Sequence, residues 1–309
     1  MSLTTFHIWS ESNLSEELSA LAPENEIIVY GAEEQIINDE FDTVCLKNQK
    51  SVDFVFGGTY YESFSRYKDI ANLHFWSNFW LYNSVYTINH SDVKNKSKNK
   101  FLFLSLNNNA HYHRCRMIDI LAKNNLLKNG VVSWHRGNIG NYRFKYWRQK
   151  KLVLTDNFDK TKNYDYIPKE INKVFLNLVV ESVIEGIFVT EKTYKNILIS
   201  KPFICLAAPK FHKFLESQGF ELYDEIISYD FDKEHNLDKR INMIIDQLKY
   251  LKEQNYNELY KKIKPKLDYN KKRALEIIRN QEGIPKIARN FKYYDNIIKG
   301  AVCRLDILE

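Results

Sequence analysis

The sequence predicts an α/β protein made of two open units, and three observations carry that prediction. Short apolar, strand-like runs alternate with segments whose apolar residues recur at helical spacing, the pattern of a parallel sheet with helices packed on it. At residues 94–100 the alternation is broken by "KNKSKNK", a polar run without an apolar anchor, which reads as an exposed linker. It restarts at once with "KFLFLSL". Two Rossmann-like units facing a cleft are therefore expected, residues 1–97 and residues 98–309, the second finishing in terminal helices. Ligands of such folds sit at the carboxyl ends of the strands.

In the first unit "TFHIWS" reads as a strand, "ESNLSEELSAL" as a capped helix and "EIIVYG" as a second strand. "TVCLK" is a weaker third, and "VDFVFGG" a fourth that ends in Gly57 and Gly58. "DIANLHFWSNFWLYNSVY" shows apolar and aromatic residues at helical spacing. In the second unit "KFLFLSL" is a buried strand, and the segment after it a polar loop and an amphipathic helix that stops at Gly130. "VVSWH", "KLVLTD", "VFLNLVVES" and "KPFICLAAP" read as strands, and "TEKTYKNILIS" and "FHKFLESQGF" as helices. From about Asp238 the chain is helical and rich in lysine.

With 44% hydrophobic and 27% charged residues the chain reads as soluble and globular. No apolar run approaches the roughly 20 residues that span a bilayer, so no membrane span is expected. The start "MSLTTFHIWSES" lacks the basic and apolar regions of a signal peptide. Cys45, Cys115, Cys205 and Cys303 are scattered without metal-like pairing and are expected to stay reduced. A cytoplasmic protein is the default. The formal charge of +6 suits a phosphorylated ligand or an anionic partner.

The segment "VVESVIEGIFVTEKTYKNI", residues 179–197, carries the chemistry. Its carboxylates and lysine are costly to bury unless they hold something. Glu181 follows a strand at its carboxyl edge, Thr190 is a helix N-cap candidate, and Glu191 and Lys192 fall in the first helical turn. Backbone N–H groups and the dipole at a helix start seat phosphate. Lys192 adds positive charge there, and Glu191 suits sugar or ribose hydroxyls. A plain reading uses the same residues for stability alone, with Thr190 as cap and Glu191 favourable at a helix start.

The segment resembles the donor-binding motif of the α-1,3-fucosyltransferases: Glu-Asn-Ser, three variable residues, then Asp-Tyr-Val-Thr-Glu-Lys. Here Glu181 and Ser182 are followed by Phe188, Val189, Thr190, Glu191 and Lys192, with the same ten-residue step between the glutamates. Ser182 stands where the family has Asn, and Ile187 and Phe188 where it has Asp-Tyr. A second match is "FLSLNNNAHYHRCRMIDIL", similar to the strand, Asn-containing loop and arginine that open the family's donor domain. The resemblance gives Arg114 the diphosphate contact, with Arg116 as the neighbouring alternative. A guanidinium at a loop-to-helix junction suits pyrophosphate. More loosely, the chain resembles uncharacterised viral and bacterial glycosyltransferases with a "TEK…PF" signature. The likeness covers roughly residues 98–230. It implies a GT-B glycosyltransferase whose donor site takes in Arg114, Glu181, Thr190, Glu191 and Lys192.

Sugar transfer builds negative charge on the leaving diphosphate, so positive groups and helix dipoles there matter most. An inverting enzyme also needs a carboxylate base at the acceptor hydroxyl. Glu62, after "VDFVFGGTYY", and Glu11, after "TFHIWS", stand at strand ends of the first unit; Asp53 lies inside its strand and fits less well. His135 follows a strand in the donor unit and is a further donor candidate, whereas His111 and His113 read as ordinary polar residues. No metal is required, and "DFD" at residues 230–232 reads as a solvated loop. No cofactor beyond the nucleotide sugar is expected, and a glycan is the expected acceptor.

Two alternatives stand beside this. In "NYRFKYWRQKK", residues 141–151, aromatic and basic residues interleave, as in a nucleic-acid grip. A viral-type DNA glycosyltransferase acting on a hydroxymethylated base would use it, although a connector packing its aromatic rings looks the same. The other alternative is a non-catalytic carbohydrate-binding relic.

Overall fold

A computed structural model of the chain describes residues 3–7, 26–31, 52–59, 65, 68, 72–88, 99–107, 110–134, 142–147 and 167–308. Two separate parallel sheets are present among them. The first holds β1 (Leu3–His7), β2 (Glu26–Gly31), β3 (Val52–Phe56) and β4 (Asn72–Phe75) in the order β1-β2-β3-β4. The second holds β5 (Phe101–Asn107), β6 (Gly130–Trp134), β7 (Val174–Val180) and β8 (Phe203–Leu206) in the order β6-β5-β7-β8. All neighbours pair in parallel. Strands covered on both faces read as continuous apolar runs; β8, "FICL", is buried throughout.

The order of the second sheet sets the site. From β5 the chain goes to one side for β6 and to the other for β7 and β8. In open α/β sheets ligands bind outside the carboxyl ends of the strands where the winding reverses, here between β5 and β7.

Two elements depart from expectation. Residues 72–75 form a strand paired with β3, and the helix after them, α1 (Phe79–Thr87), starts only at Phe79. Periodicity cannot separate a short buried strand from a helical turn, so pairing with β3 decides. The Trp76 N–H extends it by donating to the Phe56 carbonyl at 2.8 Å. Helix α2 (Tyr112–Lys123) ends well before Gly130. Asn125 there takes φ 55°, a left-handed conformation that Asn tolerates, and a 3-10 turn at Leu127–Asn129 leads into β6. The expected elements "ESNLSEELSAL", "TVCLK" and "KLVLTD", and the boundary near residue 97, lie outside the described residues.

The remaining helices are α3 (Glu191–Leu198), α4 (Phe211–Ser217), α5 (Leu237–Lys252), α6 (Tyr256–Arg279), α7 (Lys292–Cys303) and α8 (Leu305–Leu308). Helix α5 packs on α2 and β8, while α7 returns to α1. The ring of Tyr294 on α7 packs edge-on against Trp76 at 5.4 Å and Phe79 at 5.5 Å. The Arg304 guanidinium donates to the carbonyls of Tyr86 and Ile88. The end of the chain thus packs against residues of the first unit. Among the described residues no helix is long and apolar enough to cross a membrane.

Candidate functional site

Strand β7 delivers Glu181 to the carboxyl edge of the second sheet, where its N–H donates to the Leu206 carbonyl at 3.0 Å. Glu181 is 0% exposed, and its carboxylate is fully engaged. One oxygen accepts from the Thr190 N–H at 3.1 Å and the Thr193 hydroxyl at 2.7 Å, the other from the Thr190 hydroxyl at 2.6 Å. Burial pushes this carboxyl above its ordinary range, against the pull of Lys192 and the threonine hydroxyls. Glu181 is a donor-site residue in the sequence reading; in the structure its carboxylate is bonded inside the protein, fixing the start of α3. Thr190 is the N-cap, its hydroxyl accepting from the Lys192 N–H at 3.3 Å.

A cluster of polar side chains beside it is built around Ser182. Its hydroxyl accepts from Arg114 Nη2 at 2.9 Å and from Lys192 Nζ at 2.9 Å. Arg114 comes from the first turn of α2, after β5, and Lys192 from the first turn of α3, after β7. Two cations from two helix starts therefore share one neutral oxygen at the switch point. Arg114 and Ser182 are 3% and 4% exposed, whereas the Lys192 side chain is 29% exposed, so the cluster opens along the lysine. Glu191 lies beside it, 3.4 Å from Lys192 Nζ. Lys192 Nζ also donates to the Thr190 hydroxyl at 3.1 Å and lies 3.8 Å from the Glu181 carboxylate; a phosphate oxygen would be a stronger acceptor for both cations than the hydroxyl they share.

Arg116 is not part of this cluster. Its guanidinium makes a bidentate pair with Asp238 at 2.7 and 2.8 Å, tying α2 to α5, and Asp238 holds its cation well above the ordinary arginine range. His113, read as an ordinary polar residue, contacts the Glu181 carbonyl through Nε2 at 2.8 Å. Glu62, Glu11 and His135 lie outside the described residues.

The first sheet meets the site through the carboxyl end of β3. The Thr59 hydroxyl donates to the Ile187 carbonyl at 2.5 Å, and the Phe56 and Phe188 rings stack with centroids 5.6 Å apart. Gly58 allows the approach, since a Cβ there would lie 2.7 Å from Phe188. Phe188, at the position of the family's tyrosine, is 1% exposed and packs against the first unit.

One further segment differs from its reading. "DFD" is not a solvated loop throughout, for Asp232 is buried. Its carboxylate accepts from the His212 and Lys213 N–H groups at 2.9 and 3.2 Å and pairs with His212 Nδ1 at 2.8 Å. Burial alone would raise this carboxyl, but the His212 hydrogen bond and charge hold it below its ordinary range. In residues 142–147 the rings pack on one another: Tyr142 on Phe144, and Phe144 on Trp134 and Trp147. The Asp119 carboxylate pins the N–H groups of Lys145, Tyr146 and Trp147 at 2.6–3.0 Å.

Ser182 was visible in the sequence only as a departure from the family's Asn, and Thr193 and Asp119 carried no signal there, because their partners are distant in sequence or ordinary in type. No family model matches this chain, and no curated protein matches it.

Proposed function

We propose that the chain is a glycosyltransferase of the two-unit GT-B type, moving a sugar from a nucleotide diphosphate sugar to a hydroxyl of a glycan acceptor with inversion. One observation carries the reading: Arg114 and Lys192 converge on Ser182 at the switch point of the second sheet. Both cations stand at helix starts, where developing charge on a leaving diphosphate is stabilised without a metal ion. Glu191, 3.4 Å from Lys192 Nζ, is the residue the reading assigns to donor hydroxyls. The contact of Thr59 and Phe56 with the segment before Thr190 supports an acceptor side contributed by the first unit. The reading assigns the acceptor-hydroxyl base to Glu62 or Glu11.

Thermal unfolding with GDP or UDP tests it, since a ligand bound only to the folded state raises stability by mass action. Either nucleotide is expected to raise the melting temperature without added metal, and EDTA to leave the shift unchanged. No shift with any nucleoside diphosphate at millimolar concentration would remove the reading.

A further inference from the structure

The ring of Tyr112 is an exposed aromatic surface at the start of α2. Tyr112 is 62% exposed, the most exposed large aromatic among the described residues, and it opens α2, the helix that follows β5. It is not a loose side chain on a loose support. Its ring packs edge-on against Tyr142 at 5.4 Å, and Tyr142 packs on Phe144 at 4.9 Å. That chain of rings reaches the buried Trp134 and Trp147, and Asp119 pins the backbone beneath it. A ring so exposed and so firmly backed is preorganised, so stacking on it costs little ordering.

Its position relative to the cations gives it a use. Tyr112 and Arg114 stand two residues apart, about 200° around the helix, so their side chains diverge from one helix start. Arg114 reaches the Ser182 side, toward β7; Tyr112 reaches the Tyr142 side. A planar group tethered to a phosphate would meet both if it lay across the start of α2. Meanwhile Phe188, the ring in the motif itself, is spent on Phe56 and offers no face to a ligand.

We infer that Tyr112 is the stacking platform for the base of the nucleotide, with the diphosphate on Arg114 and Lys192 across the start of α2. The inference rests on the donor-site reading above. Stacking without hydrogen bonds to the base edge is tolerant of base identity, so Tyr112 adds affinity for a nucleoside over bare pyrophosphate and discriminates little between bases.

Titration calorimetry with GDP, UDP and inorganic pyrophosphate tests this on the full chain. Removing a stacked ring weakens binding by roughly five- to a hundredfold. Tyr112→Ala should lose that much affinity for GDP and for UDP while binding pyrophosphate as the wild type does. Tyr112→Phe and Tyr112→Trp should stay within about threefold of wild type for all three, because the face and not the hydroxyl is used. If Tyr112→Ala binds GDP and UDP like the wild type, the platform is wrong and the diphosphate site stands. Equal losses for pyrophosphate would also overturn it, placing the effect at the helix start. If the wild type binds none of the three, the donor reading fails and takes this inference with it.

Discussion

At the scale of single residues, Lys192 and Lys201 make opposite statements about buried charge. Lys192 shares Ser182 with Arg114 and keeps its ammonium partly open. A charge-assisted hydrogen bond contributes about 1.5–3 kcal/mol, so Lys192→Met should weaken nucleotide diphosphate binding roughly tenfold to a hundredfold. An affinity unchanged by Lys192→Met, with only the melting temperature lowered, would reduce the motif to a helix cap. Lys201, just before β8, donates to the Val174 carbonyl at the opposite edge of the sheet, and burial pulls its ammonium down to about 7. Lysine in an unfolded chain titrates near 10.4. Between these values the unfolded chain binds more protons than the folded one, so this group's contribution makes stability rise with pH through that window. Lys201→Met removes the buried ammonium, so it should raise the melting temperature more at pH 6 than at pH 10. An equal effect at both values would show that the group titrates normally.

At the scale of elements, the start of α3 is held from β7. Thr190 caps the helix and binds the buried Glu181 carboxylate at once, and Thr193 binds it one turn on. Thr190→Ala removes a cap worth about 1 kcal/mol and leaves a buried carboxylate oxygen short of a donor, about 1–3 kcal/mol more. Thr190→Ser keeps the hydroxyl and should melt near the wild type; equal losses in both variants would place the cost in the lost methyl group. Much of this element was legible: the strand before Glu181, the cap at Thr190 and the helix from Glu191 all follow from local pattern. The role of Glu181 was not, because a glutamate at a strand end looks the same whether its oxygens face a ligand or two threonines. Arg114 and Arg116 were likewise indistinguishable, since only the position of Asp238 on α5 separates them. The strand at Asn72–Phe75 was hidden in an aromatic run that fits helical spacing as well.

At the scale of the whole molecule, two sheets that share no strand are joined through contacts between helices. Tyr194 of α3 reaches Asn78, at the start of α1, with its hydroxyl 3.1 Å from Oδ1, and Tyr82 of α1 donates to the Ile277 carbonyl on α6 at 3.1 Å. Helix α7 then closes over α1. Tyr294 is 0% exposed, packs on Trp76 and Phe79, and donates to the Val55 carbonyl of β3 at 3.4 Å. Residues of the first unit's core are therefore covered by residues more than 200 positions later in sequence. Such a helix belongs to the folding unit and not to a tail. Tyr294→Ala leaves a cavity lined by Trp76 and Phe79, for which large-to-small aromatic changes cost about 3–5 kcal/mol. The expected result is a marked fall in melting temperature with the chain still unfolding in a single transition, as a cooperative core does. A variant that melts like the wild type, or that releases a separate early transition while nucleotide protection persists, would show that α7 is an appendage the two sheets fold without.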